Sequence, residues 1–146
     1  MLTYQQLDVL ADSYIPVLLV ICLICLVMES IKLGFKRKLN ESCSLIIAII
    51  LVYMLMALDN HFRIWPSFGL DYSTHTALSL VFVIYLSSKS MPLLVFSLLS
   101  FLFYVLLMLY QEYHTLADII STSAILLLPF WVLLFRKHLT TAEIPS

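Results

Sequence analysis

The chain has 146 residues, of which 62% are hydrophobic and 12% charged, and its formal net charge is −1. Soluble domains are about half apolar and a quarter charged, so the composition excludes an ordinary soluble domain and a nucleic-acid-binding surface. It predicts a single integral membrane domain covering residues 1–146. Cys22 and Cys25 lie within an apolar run and are interpreted as helix packing residues rather than as a metal or redox pair.

The apolar segments, taken in chain order, predict about five membrane-spanning helices. A bilayer core of about 30 Å needs about 20 helical residues, and lipid offers no hydrogen-bond partners to bare backbone polar groups. The predicted spans are 14–33, 45–58, 73–87, 92–110 and 114–135, the second and third of which are short. The expected fold class is therefore all-α, a polytopic transmembrane helix bundle.

Basic residues fall in the first loop, the third loop and the C-terminal tail. They are Lys32, Lys36, Arg37, Lys38, Lys89, Arg136 and Lys137. The positive-inside rule therefore predicts an N-terminus outside and a cytoplasmic C-terminus, in an inner or plasma membrane. Two polar stretches then share the outer face. They are "LDNHFRIWPSFGLDYSTHTA" (58–77) and "YQEYHTLAD" (110–118), and they hold three of the four histidines.

The second polar stretch contains a histidine and an aspartate four residues apart. At the predicted start of the fifth helix, this spacing puts His114 and Asp118 on one helical face. A carboxylate at that depth needs a partner, so we expect Asp118 to accept a hydrogen bond from His114 and to fix its tautomer. A purely structural His–Asp pair explains the spacing equally well.

The first polar stretch places a histidine at the predicted start of the third helix. Ser73 or Asp71 is a natural N-cap for this helix. The unpaired N–H groups of the helix start favour an anion, so Ser73, Thr74 and His75 suit a phosphate oxygen. A capped helix start with an interfacial histidine is the simpler alternative.

Arg63 is the only Lys or Arg on the predicted outer face, and a guanidinium is well shaped to hold phosphate. An interfacial arginine beside Trp65 is the alternative. Two histidines, an aspartate, this arginine and a helix N-terminus together indicate phosphoryl transfer through a phosphohistidine. In such a reaction one histidine attacks phosphorus while the other protonates the leaving oxygen.

These motifs resemble those of the type-2 phosphatidic acid phosphatase superfamily, which includes lipid phosphatases and sphingomyelin-synthase-like transferases. Its Ser-Gly-His motif matches Ser73-Thr74-His75, with threonine in place of glycine, and its His-x-x-x-Asp motif matches His114 to Asp118. Phosphatases of the family usually carry an arginine six residues before the second histidine, where this chain has Met108. Their first motif has no clean match, and the chain has five predicted spans rather than the usual six.

The resemblance implies that His114 is the nucleophile, Asp118 its partner and His75 the general acid and then base, with no metal or other cofactor. The expected function is hydrolysis of a lipid phosphate or diphosphate in the bilayer, at the extracytoplasmic face. A headgroup phosphotransferase with the same chemistry is one alternative, favoured by Met108. A metal-binding protein using His61, His75, His114 and Asp118 and a non-catalytic membrane protein are the others.

Overall fold

The computed structural model describes residues 3–140, without the side chains of 35–37 and 135–140. Regular structure in this range is entirely helical. The helices are α1 (Tyr4–Leu33), α2 (Phe35–Phe62), α3 (Thr74–Ser87), α4 (Met91–Tyr110) and α5 (Leu116–Thr140), with a short 3-10 helix at Pro66–Phe68. Four of them, all but α3, are long and apolar enough to cross a membrane. The expected all-helical fold is thus confirmed for the described residues, and four of the five predicted spans correspond to helices long and apolar enough to indicate an integral membrane protein.

The orientation prediction rests on basic residues that the structure describes only in part. The side chains of Lys36, Arg37, Arg136 and Lys137 lie outside the described set.

The first two helices are longer than the apolar segments that predicted them. α1 begins at Tyr4 rather than at residue 14 because Thr3 and Gln6 form a reciprocal capping box, with hydrogen bonds of 2.9 and 3.3 Å. α2 covers Phe35–Phe62 rather than 45–58, and it starts directly after Gly34, whose φ of 87° ends α1. Hydropathy locates only the part of a helix that lies in lipid, so it misses polar turns that continue a helix beyond it.

The shortest helix, α3, lies at the centre of the bundle. It packs against all four of the other helices, and every side chain from Thr76 to Leu86 is buried. Leu18 of α1, Val52 of α2 and Phe130 of α5 belong to the core that surrounds it. A helix that is apolar all round is expected in such an interior position. Its 14 residues span about 21 Å, less than the roughly 30 Å of a bilayer core.

One end of the bundle is closed by a ring of four charged side chains. Lys38 contacts Glu29 at 2.9 Å and Glu41 at 2.6 Å, and Lys89 contacts the same two carboxylates at 2.8 and 2.5 Å. The ring joins α1, α2 and the α3–α4 connection. Both lysine side chains are less than a tenth exposed, whereas the Glu29 and Glu41 side chains are 29% and 25% exposed, so the ring is a largely but not fully buried ion-pair network.

The other end carries both polar stretches singled out in the sequence. The α2–α3 connection meets the first turn of α5 there, because the Asp71 N–H donates to Asp118 Oδ1 at 2.7 Å. Asp8 of α1 reaches the same end and accepts a hydrogen bond from the Tyr113 hydroxyl. Asp8 and Glu29 lie on one helix and 21 residues apart, a rise of about 31 Å. The two polar ends are therefore separated by about one bilayer thickness.

Candidate functional site

The N-terminus of α3 is built by Ser73. Its Oγ accepts the Thr76 N–H at 3.2 Å and lies 2.8 Å from Thr76 Oγ1, and its own N–H donates to Thr122 Oγ1 of α5 at 3.2 Å. Ser73 is fully buried, so its hydroxyl is engaged in capping and in tying α3 to α5. Within the first turn, the N–H groups of Thr74 and His75 are left without an intrahelical acceptor.

The N-terminus of α5 is built by Thr115 and Asp118. Thr115 Oγ1 accepts the Asp118 N–H at 3.2 Å, and Asp118 Oδ2 accepts the N–H and the hydroxyl of Thr115 at 2.8 and 2.7 Å. This is a reciprocal capping box with aspartate at its third helical position. Asp118 Oδ1 accepts the Asp71 N–H, so both carboxylate oxygens are occupied.

The expected hydrogen bond from His114 to Asp118 is absent from the described contacts, and His114 precedes α5 instead of lying on it. The His-x-x-x-Asp spacing overlaps a Thr-x-x-Asp capping box, and the box determines where the helix begins. His114 is therefore free to turn towards the α2–α3 connection.

The imidazole of His114 faces a different carboxylate. Its Nδ1 lies 3.6 Å from Asp71 Oδ2 and is buried without a hydrogen-bond partner. Burial lowers the pKa of His114 below its usual 6.5, opposed by the charge of Asp71 and reinforced by His75. The ring is consequently neutral at pH 7, the form in which a histidine nitrogen is nucleophilic.

The two predicted catalytic histidines are brought together. The ring centroids of His75 and His114 are 6.3 Å apart, with the planes tilted by 54°. His75 is exposed at the start of α3, whereas the side chain of His114 is only 10% exposed. Each histidine thus stands at the N-terminal end of a helix, next to N–H groups that favour an anion.

Two residues that the sequence did not single out complete this end of the bundle. The Tyr113 ring lies nearly parallel to that of His75, at 11° and 6.5 Å between centroids. Its hydroxyl donates to Asp8 of α1. Asp8 lies before the predicted first span, 14–33, so the apolar pattern gave no signal for its role.

Two other residues singled out in the sequence, Arg63 and Met108, have no described side-chain hydrogen bond or ion pair with the histidine pair. Arg63 is exposed and ends α2 in a left-handed conformation (φ 54°), and no described ion pair or hydrogen bond links its side chain to the histidines. Met108 is 1% exposed and packs in an apolar cluster with Ala11 and Ile119.

The metal-site alternative finds no support in the arrangement of these side chains. Among the side chains described in 3–34 and 38–134, no three of His, Cys, Asp or Glu come together as a metal ion would require. His61 is exposed in the last turn of α2, where it packs edge-on against Phe62.

Comparison with protein families, with curated proteins and with solved structures gives no match for this chain. The resemblance to lipid phosphatases therefore rests on the two short sequence motifs alone.

Proposed function

We propose that this chain is a membrane-embedded lipid phosphatase that works through a phosphohistidine. The observation that carries the proposal is the convergence of two helix N-termini on a pair of histidines whose ring centroids are 6.3 Å apart. Such a site offers a nucleophile, an acid and backbone donors for a phosphoryl group without any metal.

His114 is the proposed nucleophile. Its Nδ1 faces Asp71, which leaves Nε2 on the opposite edge of the ring to attack phosphorus. A P–N bond forms as the P–O bond to the lipid breaks, and protonated His75 gives its proton to the leaving oxygen. Water then attacks the phosphohistidine and passes a proton back to His75, and inorganic phosphate is released.

In this proposal, backbone N–H groups stabilise most of the negative charge on the phosphoryl oxygens. The first-turn N–H groups of α3 at Thr74 and His75 lack intrahelical acceptors, and the first turn of α5 is joined to the same connection at Asp71. In this proposal Ser73 contributes to phosphate binding indirectly, because it caps α3 and so positions the N–H groups of the first turn. Arg63, exposed on the same connection, would supply a guanidinium to the outer oxygens.

The proposed substrate is a lipid phosphate or diphosphate held in the bilayer. The histidines lie at one polar end of a bundle whose other end is about one bilayer thickness away, which suits a headgroup at an interface. The distribution of basic residues favours an extracytoplasmic site in a plasma or inner membrane.

A headgroup phosphotransferase is the second candidate, and the setting of Met108 favours it. In the family that the motifs resemble, phosphatases carry an arginine at this position and the transferase branch does not. Met108 is instead packed into an apolar cluster, so α4 supplies no cation. The products separate the two: free phosphate indicates hydrolysis, and a new headgroup on labelled lipid indicates transfer.

The proposal is tested with the purified protein and a panel of phosphatidate, phosphatidylglycerophosphate and polyprenyl diphosphate. We expect phosphate release in the presence of chelator, and its loss in His114→Ala and His75→Ala. His61→Ala is the matched control, because this exposed histidine contacts only its neighbour Phe62. Absence of turnover on the whole panel, or a fully active His114→Ala variant, would refute the proposal.

A further inference from the structure

Asp118 is unavailable to orient His114. Its two carboxylate oxygens accept three hydrogen bonds, from the Asp71 N–H, the Thr115 N–H and the Thr115 hydroxyl, at 2.7 to 2.8 Å. The carboxylate is buried, and releasing it towards the imidazole would leave these donors without their acceptor, which is unfavourable. Its role is therefore to cap α5 and to hold the α2–α3 connection.

His114 nevertheless needs a hydrogen-bond partner at Nδ1. This atom is buried and lacks a hydrogen-bond partner, a state that buried polar groups rarely tolerate. The carboxylate facing it is that of Asp71, at 3.6 Å, slightly beyond hydrogen-bond length. Catalytic hydrogen bonds are often long in an unliganded enzyme and shorten when the substrate is bound.

The backbone of Asp71 is fixed by the same network. Its N–H donates to Asp118 Oδ1, and two residues later the Ser73 N–H donates to Thr122. The Asp71 side chain is 70% exposed, so it can adjust its torsions towards His114 without breaking any described packing contact.

We propose that Asp71, rather than Asp118, is the positioning carboxylate of His114, an inference that rests on the proposed function. Asp71 accepts the Nδ1 proton, selects the tautomer with a free Nε2 and stabilises the positive charge that develops on the ring as phosphorus is attacked. Asp118 contributes indirectly, by holding the backbone N–H of Asp71. The motif aspartate and the positioning aspartate are thus two different residues.

The first test is a pH titration of the His114 ring, monitored by NMR. The protein is labelled at histidine Cε1, and the His114 signal is assigned with single histidine variants. Asp71, Asp118 and His75 are the charged or titratable groups that act on this ring. We expect Asp71→Asn to lower the midpoint of His114 because a favourable negative charge is removed, and Asp118→Asn to shift it less. An unchanged midpoint in Asp71→Asn, or a larger shift in Asp118→Asn, would overturn the inference.

The second test is kinetic and uses Glu112→Gln, an exposed carboxylate on the α4–α5 connection, as the matched control. Asp71→Asn should lower kcat about tenfold to a hundredfold and move the acidic limb of the pH–rate profile to lower pH, with KM nearly unchanged. A profile identical to that of Glu112→Gln contradicts the role of Asp71. If the wild type itself transfers no phosphoryl group, the proposed function fails, while the histidine titration still decides which aspartate faces His114.

Discussion

Removing Lys89 should weaken the bundle strongly, because this lysine supplies half of the positive charge in the buried ring. It bridges Glu29 and Glu41 at 2.8 and 2.5 Å, and its side chain is 7% exposed. In Lys89→Met, Lys38 is the one lysine of the ring left to pair with the two carboxylates, and the ring acquires a net negative charge. Breaking a fully buried ion pair by removing one partner costs about 3–5 kcal/mol, and a surface pair contributes at most about 1 kcal/mol. Because the two carboxylates are 29% and 25% exposed, we expect a loss of unfolding free energy between these two values.

The assay is reversible unfolding in mixed detergent micelles, monitored by tryptophan fluorescence. Lys32→Met, at an exposed lysine in the last turn of α1, is the matched control and should change stability by less than about 1 kcal/mol. The double variant Lys89→Met with Glu41→Gln restores neutrality and should be more stable than the single variant. Equal stability of Lys89→Met and Lys32→Met would refute the assignment of the ring as a buried network.

Two further predictions concern the functional end of the molecule. Ser73→Ala should lower the free energy of unfolding by about 1–2 kcal/mol, through the lost cap of α3, and leave KM for a lipid phosphate unchanged; a stable variant with a raised KM would show instead that the hydroxyl binds phosphate. The lowered pKa of His114 means that the unfolded chain binds a proton there before the folded chain does as the pH falls. The contribution of His114 to stability is therefore complete above about pH 6.5 and declines below it. The melting temperature should fall more steeply with acidification in the wild type than in His114→Gln. Parallel curves of melting temperature against pH for the two proteins would contradict this.

The helical membrane fold could be predicted from hydropathy, since long apolar runs without charges have no other stable form in lipid. The position of α3 was harder to predict. Its 14 residues are as apolar as the other spans, but their shortness and uniform apolarity indicate a helix enclosed by others. The ring of Glu29, Lys38, Glu41 and Lys89 joins residues up to 60 apart in sequence, which no local pattern reveals.

The sequence predicted that the two histidines lie close together, but its expected hydrogen bond from His114 to Asp118 was wrong. His75 and His114 could be identified because each stands beside a predicted helix start on the same side of the membrane. The partner of His114 could not be read from spacing, because Asp118 satisfies both a His-x-x-x-Asp pattern and a Thr-x-x-Asp capping box. Only the hydrogen bonds of Asp118 distinguish these two interpretations.

The most direct test of the phosphohistidine mechanism is to trap the intermediate. Purified protein is mixed with a lipid phosphate labelled with radioactive phosphorus and quenched within milliseconds under alkaline conditions, which preserve phosphohistidine. The mechanism predicts acid-labile label on the peptide that contains His114 in the wild type and in His61→Ala, and none in His114→Ala. Phosphate release by an active wild type with no label on histidine, or label that persists in His114→Ala, would contradict it.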